Sequence, residues 1–225
     1  RIFAVMALCP QHTFQVLTKR AARMRAYVSG FDCDGARRFN VAAAAGRMME
    51  DGDNAHDYVA NVAWPLPNVW LGVSSERQQE ADERVPELLE TPAAIRFVSA
   101  EPLLGPIDFR NYMWPVPARW PSAYPNPAAA IADGAEVTYH RQALVGAWCT
   151  FLDWIIVGGE SGDGARPIHP AWARSIREQC TAAGVPFFFK QWGEWKPVSQ
   201  ITDAECDDLY LPAPVNHPEA TRRCK

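Results

Sequence analysis

Five short apolar runs, each stopping at charged or hydroxyl side chains, constrain this chain more than any other feature. They are Thr13 to Thr18, ending in Lys19-Arg20; Val69 to Val73, ending in Ser74-Ser75-Glu76; and Ile95 to Ser99, ending in Ala100-Glu101-Pro102. Trp154 to Val157 ends in Gly158-Gly159-Glu160-Ser161, and Val185 to Phe189 ends in Lys190-Gln191-Trp192-Gly193. Strands apolar nearly throughout are covered on both faces, and long or helical connections make parallel neighbours. The pattern predicts an α/β fold: a partial (β/α) TIM-like barrel, part of a whole with roughly six to eight parallel strands. A flat doubly wound sheet is the alternative.

The intervening segments supply the helices. Residues 2–9 finish a helix that Pro10 closes, and Ala21 to Val28 follow the first strand directly. Residues 29–63 are looser, with helical patches near 42–49 and 56–63. Gln78 to Leu89 is helical, with Pro86 expected to bend or restart it. Pro170 to Ala183 puts Trp172, Ile176, Cys180 and Ala183 on one stripe, with Gly184 as the terminating glycine. Residues 109–150, rich in proline and tryptophan around an alanine-rich helix candidate, read as a peripheral insertion. The expected organisation is one partial barrel domain over 1–195 and a polar appendage over 196–225. Arg1-Ile2-Phe3 opens in mid-helix without a capping residue, so the chain reads as a fragment with an upstream part missing.

Bulk numbers narrow the function classes. With 225 residues, 48% hydrophobic and 21% charged, the chain has enough apolar content for a sizeable core. A net charge of −4 argues against a broad nucleic-acid footprint. No apolar run approaches the ~20 residues of a membrane span, and a cytoplasmic location is expected. The six cysteines are scattered without a CxxC pair, so neither a disulfide framework nor a local metal site is expected. Cys180 reads as a core residue.

In a parallel sheet the strand ends meet on one rim, where ligands bind. Lys19, Arg20, Ser74, Ser75, Glu76, Glu101, Glu160, Ser161, Lys190 and Gln191 are therefore expected around one opening, suited to a zwitterionic or partly anionic ligand. Ser74, Ser75 and Ser161 have an alternative as helix caps, and Arg20 as a solvated first-turn residue. The Gly158 to Gly162 loop can form an anion-binding nest. Arg166 is either an anion clamp or the partner of a local carboxylate such as Asp163. Lys190 reads as a charge-stabilising group or general base, or as a lysine snorkelling from an aromatic plug. His169, before a helix-starting proline, reads as structural.

The blocks QVLTKR (15–20), VWLGVSSE (69–76), FVSAEPLLGPID (97–108), DWIIVGGESGDGARPIHPAW (153–172) and VPFFFKQWGEW (185–195) together carry a resemblance. Over residues 1 to about 196 the chain resembles the phage-associated Gp thirty-seven/Gp sixty-eight family, a domain of unknown function. The resemblance implies a phage or prophage protein related to radical S-adenosylmethionine enzymes, with a radical SAM-like barrel. It also implies an iron–sulfur cluster, S-adenosylmethionine, and a partner protein named for a three-cysteine motif. The cluster-ligating cysteines would lie upstream of Arg1. Gly158-Gly159-Glu160 is similar to the radical enzymes' Gly-Gly-Glu, although there the triplet follows an early strand and here a late one.

On that reading Glu76, Glu101, Glu160 and Lys190 are the catalytic candidates. Lys19, Gly158, Gly159, Ser161, Arg166 and Gln191 are the candidates for holding cofactor, and the substrate is open. Two alternatives remain. One is a non-catalytic barrel module that binds nucleic acid or a partner protein, with Trp192 and Trp195 stacking bases beside Lys190 and Lys196. The other is a cluster-free hydrolase or lyase using Glu101 and Glu160 as an acid–base pair.

Overall fold

The structure is a computed structural model that describes residues 1–33, 35–113, 151–197 and 221–223. Strands β1 (Phe14–Thr18), β2 (Val69–Ser74), β3 (Ile95–Ala100), β4 (Trp154–Gly158) and β5 (Phe187–Gln191) form one sheet. Every pair of neighbours is parallel, and the spatial order is the sequence order. A doubly wound sheet reverses its order at a switch point; these five strands have no reversal.

The helices are α1 (Ile2–Leu8), α2 (Ala21–Val28), α3 (Gly30–Cys33), α4 (Gly35–Gly46), α5 (Gly52–Asn61), α6 (Gln78–Leu89), α7 (Arg110–Met113) and α8 (Pro170–Ala183). Side chains alternate between the two faces of a strand, so the pairing register sorts the sheet into two surfaces. One carries Val69, Leu71, Val73, Val98, Ile155 and Val157, all at most 3% exposed. It forms a single buried cluster with Ala21 and Val28 of α2, Ala81, Val85 and Leu88 of α6, and Ala173, Ile176 and Cys180 of α8. The other surface runs through Leu17, Trp70, Phe97, Trp154 and Phe188. There Leu17 and Phe188 remain 49% and 50% exposed.

The helix α8 matches its sequence pattern to the residue. The His169 imidazole accepts from the Ala171 amide at 3.2 Å, Pro170 occupies the first turn, and Gly184 ends the helix at φ 67°. His169 is thus structural, as the sequence indicated, and its role is that of a cap. Ile176 and Cys180 are fully buried, and burial pushes the Cys180 thiol up to about 12.

Three expectations need correction. Residues 29–63 are helical over most of their length, because α4 buries Val41, Ala42, Ala44 and Ala45 while α5 buries Ala55 and Val59. Pro86 does not restart α6, which runs unbroken from Gln78 to Leu89 with the proline inside it. Val85 and Leu88, both 0% exposed, anchor it on either side of the proline. Finally, β5 begins at Phe187, two residues late. The Val185 amide donates to Cys180 O at 3.0 Å, so the start of that apolar run closes the helix instead.

Across the expected boundary at 195/196, Trp195–Pro197 pairs antiparallel with Thr221–Arg223 of the expected appendage. Most of the expected insertion, 114–150, lies outside the described residues, as do 198–220.

Candidate functional site

The loop that leaves β3 fastens the ends of its two neighbours. The Leu103 amide donates to Gly158 O at 2.9 Å, and the Leu104 amide donates to Glu76 O at 2.8 Å. The Ser75 amide donates to Ser99 O at 2.9 Å. Backbone bonds therefore hold the carboxyl ends of β2, β3 and β4 together, and with them the residues that follow.

Glu76, at the end of β2, lies between two cations. Lys19 Nζ is 2.6 Å from Oε1, and Arg84 of α6 donates to Oε2 at 3.0 Å and to Ser74 O at 2.9 Å. Lys19 is the cation that faces Oε1, an otherwise unpartnered buried oxygen. Burial pushes the Glu76 carboxyl up, but Lys19, its own backbone amide and Arg84 together outweigh burial and hold it below the usual carboxylate value. Its side chain is 9% exposed, whereas that of Lys19 is 64% exposed.

Glu101, at the end of β3, has a similar arrangement. Lys190 Nζ bonds both its oxygens, at 3.0 and 3.1 Å. Gln191 Nε2 donates to Glu101 Oε1 at 3.1 Å and to Ser161 Oγ at 3.2 Å. This contact spans β4, since Glu101 and Lys190 belong to strands on either side of it. It can do so because Gly158 has no side chain: a Cβ there would lie 3.0 Å from Glu101 Cδ and Oε1. Gly158→Ala is expected to displace the carboxylate from Lys190 and cost about 1–3 kcal/mol, the usual penalty of overpacking. Denaturant unfolding with an unchanged slope checks this; a variant as stable as the parent removes the argument.

Gly159 permits an even closer approach. A Cβ on it would stand 1.8 Å from Trp192 O. Its amide donates to Gln191 O at 2.9 Å, and the Glu194 amide donates to Glu160 O at 2.8 Å. The chain after β5 is thus bonded onto the loop after β4.

The Glu160 side chain turns to Arg166, accepting from Nε at 2.8 Å, from NH2 at 2.7 Å and from the Arg166 amide at 2.8 Å. The local carboxylate shown to clasp Arg166 is therefore Glu160. Those bonds hold the Glu160 carboxyl at about 2, below its ordinary 4.5. Its folded value is the lower one, so the clasp is intact above pH 4.5 and is lost as pH falls from there towards 2. The amide shift of Arg166 is expected to titrate with a midpoint near 2; a midpoint near 4.5 would mean that the clasp does not form in solution.

The sequence candidates thus fall into three groups: Lys19 with Glu76; Glu101 with Lys190, Gln191 and Ser161; and Glu160 with Arg166. Ser75 stands apart, fully buried with its hydroxyl unpartnered. None of the three serines caps a helix by its side chain: α6 starts after Arg77 and α8 after His169. The Arg20 amide donates to Thr18 Oγ1 at 3.0 Å.

The tryptophans proposed for base stacking are engaged internally. Trp192 packs on the core and on Phe189, with ring centroids 4.5 Å apart, and Trp195 Nε1 donates to Ala165 O at 2.6 Å.

Two features escaped the sequence reading. Arg84 sits mid-helix and gives no local sign that it reaches a strand end. The sheet face opposite α2, α6 and α8 carries an aromatic cluster, in which Trp154 meets Trp70, Phe97 and Phe188 at centroid distances of 6.0, 5.9 and 6.3 Å. Gly72 makes room for the Phe97 ring, which would lie 2.5 Å from a Cβ there. In strands apolar throughout, alternation does not reveal which face is the inner one.

Among the described residues no three His, Cys, Asp or Glu side chains gather as a metal site, and no helix is long and apolar enough to cross a membrane. Comparison with curated proteins and with solved structures returns no match. A family model does match, over residues 1–216, and its description is a protein of unknown function, DUF5131. The chain belongs to the DUF5131 family.

Proposed function

We propose that the protein is an enzyme of the (β/α)-barrel type whose strand-end rim binds a small charged substrate. Three features support the barrel: the parallel sheet, its strictly sequential order, and the helices α2, α6 and α8 packed on one face. The site reading rests on one observation. Two adjacent strands end in carboxylates, Glu76 and Glu101, each sunk beneath a lysine that is more than half exposed. Such a rim binds by charge, orients the substrate, and exchanges a proton between Glu101 and a bound group while Lys190 steadies negative charge.

The resemblance to radical S-adenosylmethionine enzymes asks for cluster ligands and for a cofactor cradle. The two free cysteines among the described residues are not its ligands. Cys180 is buried with its thiol pushed up to about 12, opposite to the thiolate a cluster requires, and Cys9 ends a different helix. Glu160, the third residue of the glycine–glycine–glutamate triplet, is already bonded by Arg166. Anaerobic purification with iron and sulfide analysis separates the two chemistries. About four of each per chain would support the radical reading, and none would count against it.

The rim reading is tested by thermal-shift screening of a metabolite library against the parent, Glu101→Gln and Lys190→Met. A ligand at about 100 times its dissociation constant stabilises its protein by roughly 2.7 kcal/mol. Compounds that raise the parent's midpoint and lose that effect in both variants support the proposal. Compounds that stabilise all three proteins equally overturn it.

A further inference from the structure

The surface beside the rim narrows the class of ligand. On β5, Phe188 and Lys190 are two residues apart on the sheet face opposite α2, α6 and α8, separated by about 7 Å of strand rise. Both are at least half exposed, at 50% and 52%. At the end of β1 the same spacing repeats with Leu17 and, just past the strand, Lys19, at 49% and 64%. Each edge of the sheet thus presents an apolar group followed by an ammonium.

The half-buried rings of Trp154 and Trp70 extend the apolar layer between the two edges. Glu76 and Glu101 lie beneath the ammonium groups, at 9% and 20% exposure. The charge offered to solvent is therefore positive, although the chain as a whole is acidic. Lys19 reaches inward to the end of β2 and Lys190 to the end of β3, so both cations lean over neighbouring strands.

We infer that this face binds an aromatic anion: a flat ring against Phe188 and Trp154, with a carboxylate or phosphate about 7 Å away at Lys190. A ring edge or face gains from the tilted rings already there. An anionic head meets an ammonium whose own carboxylate partner is sunk below it. A cationic or purely aliphatic ligand would satisfy only one half of the surface. The inference rests on the rim reading above and adds the nature of the substrate's body and head.

Isothermal titration of the intact chain with four probes tests it. Indole-3-propionate and uridine monophosphate carry ring and anion from the two candidate sources; tryptamine carries a ring with a cation, and hexanoate an anion without a ring. Either aromatic anion is expected to bind at least tenfold tighter than tryptamine and hexanoate, and whichever binds more tightly identifies the head group. Lys190→Met and Phe188→Ala are each expected to weaken that binding about tenfold or more. Both positions are exposed, so unchanged melting of the variants confirms that the fold is retained.

If Lys190→Met weakens binding but Phe188→Ala and hexanoate do not discriminate, the rim reading survives and the aromatic inference is overturned. If neither substitution matters, both are overturned. Self-association that Phe188→Ala abolishes, with no probe bound, assigns the face to a second copy and overturns the inference.

Discussion

Gly159→Ala is expected to destabilise the protein by roughly 2–4 kcal/mol, within the range of severe overpacking. The reason is a contact between two stretches of backbone. The added methyl would stand 1.8 Å from Trp192 O and so could not be relieved by turning a side chain. The chain after β5 would have to lift away, giving up the Gly159-to-Gln191 and Glu194-to-Glu160 hydrogen bonds. That movement carries Gln191 away from Glu101 and Ser161, so the site loosens with the fold. Urea unfolding measures the loss, and hydrogen exchange at Gly159 and Glu194 locates it. A variant within 0.5 kcal/mol of the parent, the scatter of ordinary surface changes, contradicts the close approach.

Phe109→Ala should be as damaging, at about 3–5 kcal/mol, because the ring is entirely buried and its removal leaves a cavity. At roughly 2–4 °C per kcal/mol for a chain of this size, the melting midpoint should fall by several degrees at least. Phe109 ends the loop that begins at Glu101. Its amide donates to Gln179 Oε1 at 2.7 Å, and Gln179 Nε2 returns to Ile107 O at 3.0 Å. The loop is thus fixed at one end to α8 and at the other to the ends of β2 and β4. Calorimetry checks the midpoint; a shift under 2 °C would mean that the ring is not the anchor.

Much of the architecture was legible because the strands and two of the helices carry strong local signals. The first-turn proline of α8 and its terminating glycine fixed both ends. The abrupt strand endings marked the rim, and the parallel sheet does bring them to one edge. What the sequence did not reveal was pairing. Glu160 and Arg166 are six residues apart with Asp163 between them, and only the path of the glycine loop decides which carboxylate meets the guanidinium. Arg84 reaches Glu76 from a helix face that by its pattern could equally have pointed into solvent. The alanine-rich α4 was under-read because small side chains leave a weak periodic signal, yet they pack closely against α1 and α5. The face that Phe188 takes was not legible either. A run of three phenylalanines has no polar residue to show which ring faces the helices and which faces away from them.

The strand order has a consequence for synthesis. Each strand lies beside the one made just before it, so no gap must be held open for a later segment to enter. Growth can proceed from one edge during translation, with each new strand docking onto a finished border and its helix sealing the seam. An assembly built in that sequence keeps the β1 border and its latest margin open and no others, which limits how much unsatisfied backbone a nascent chain presents to its neighbours.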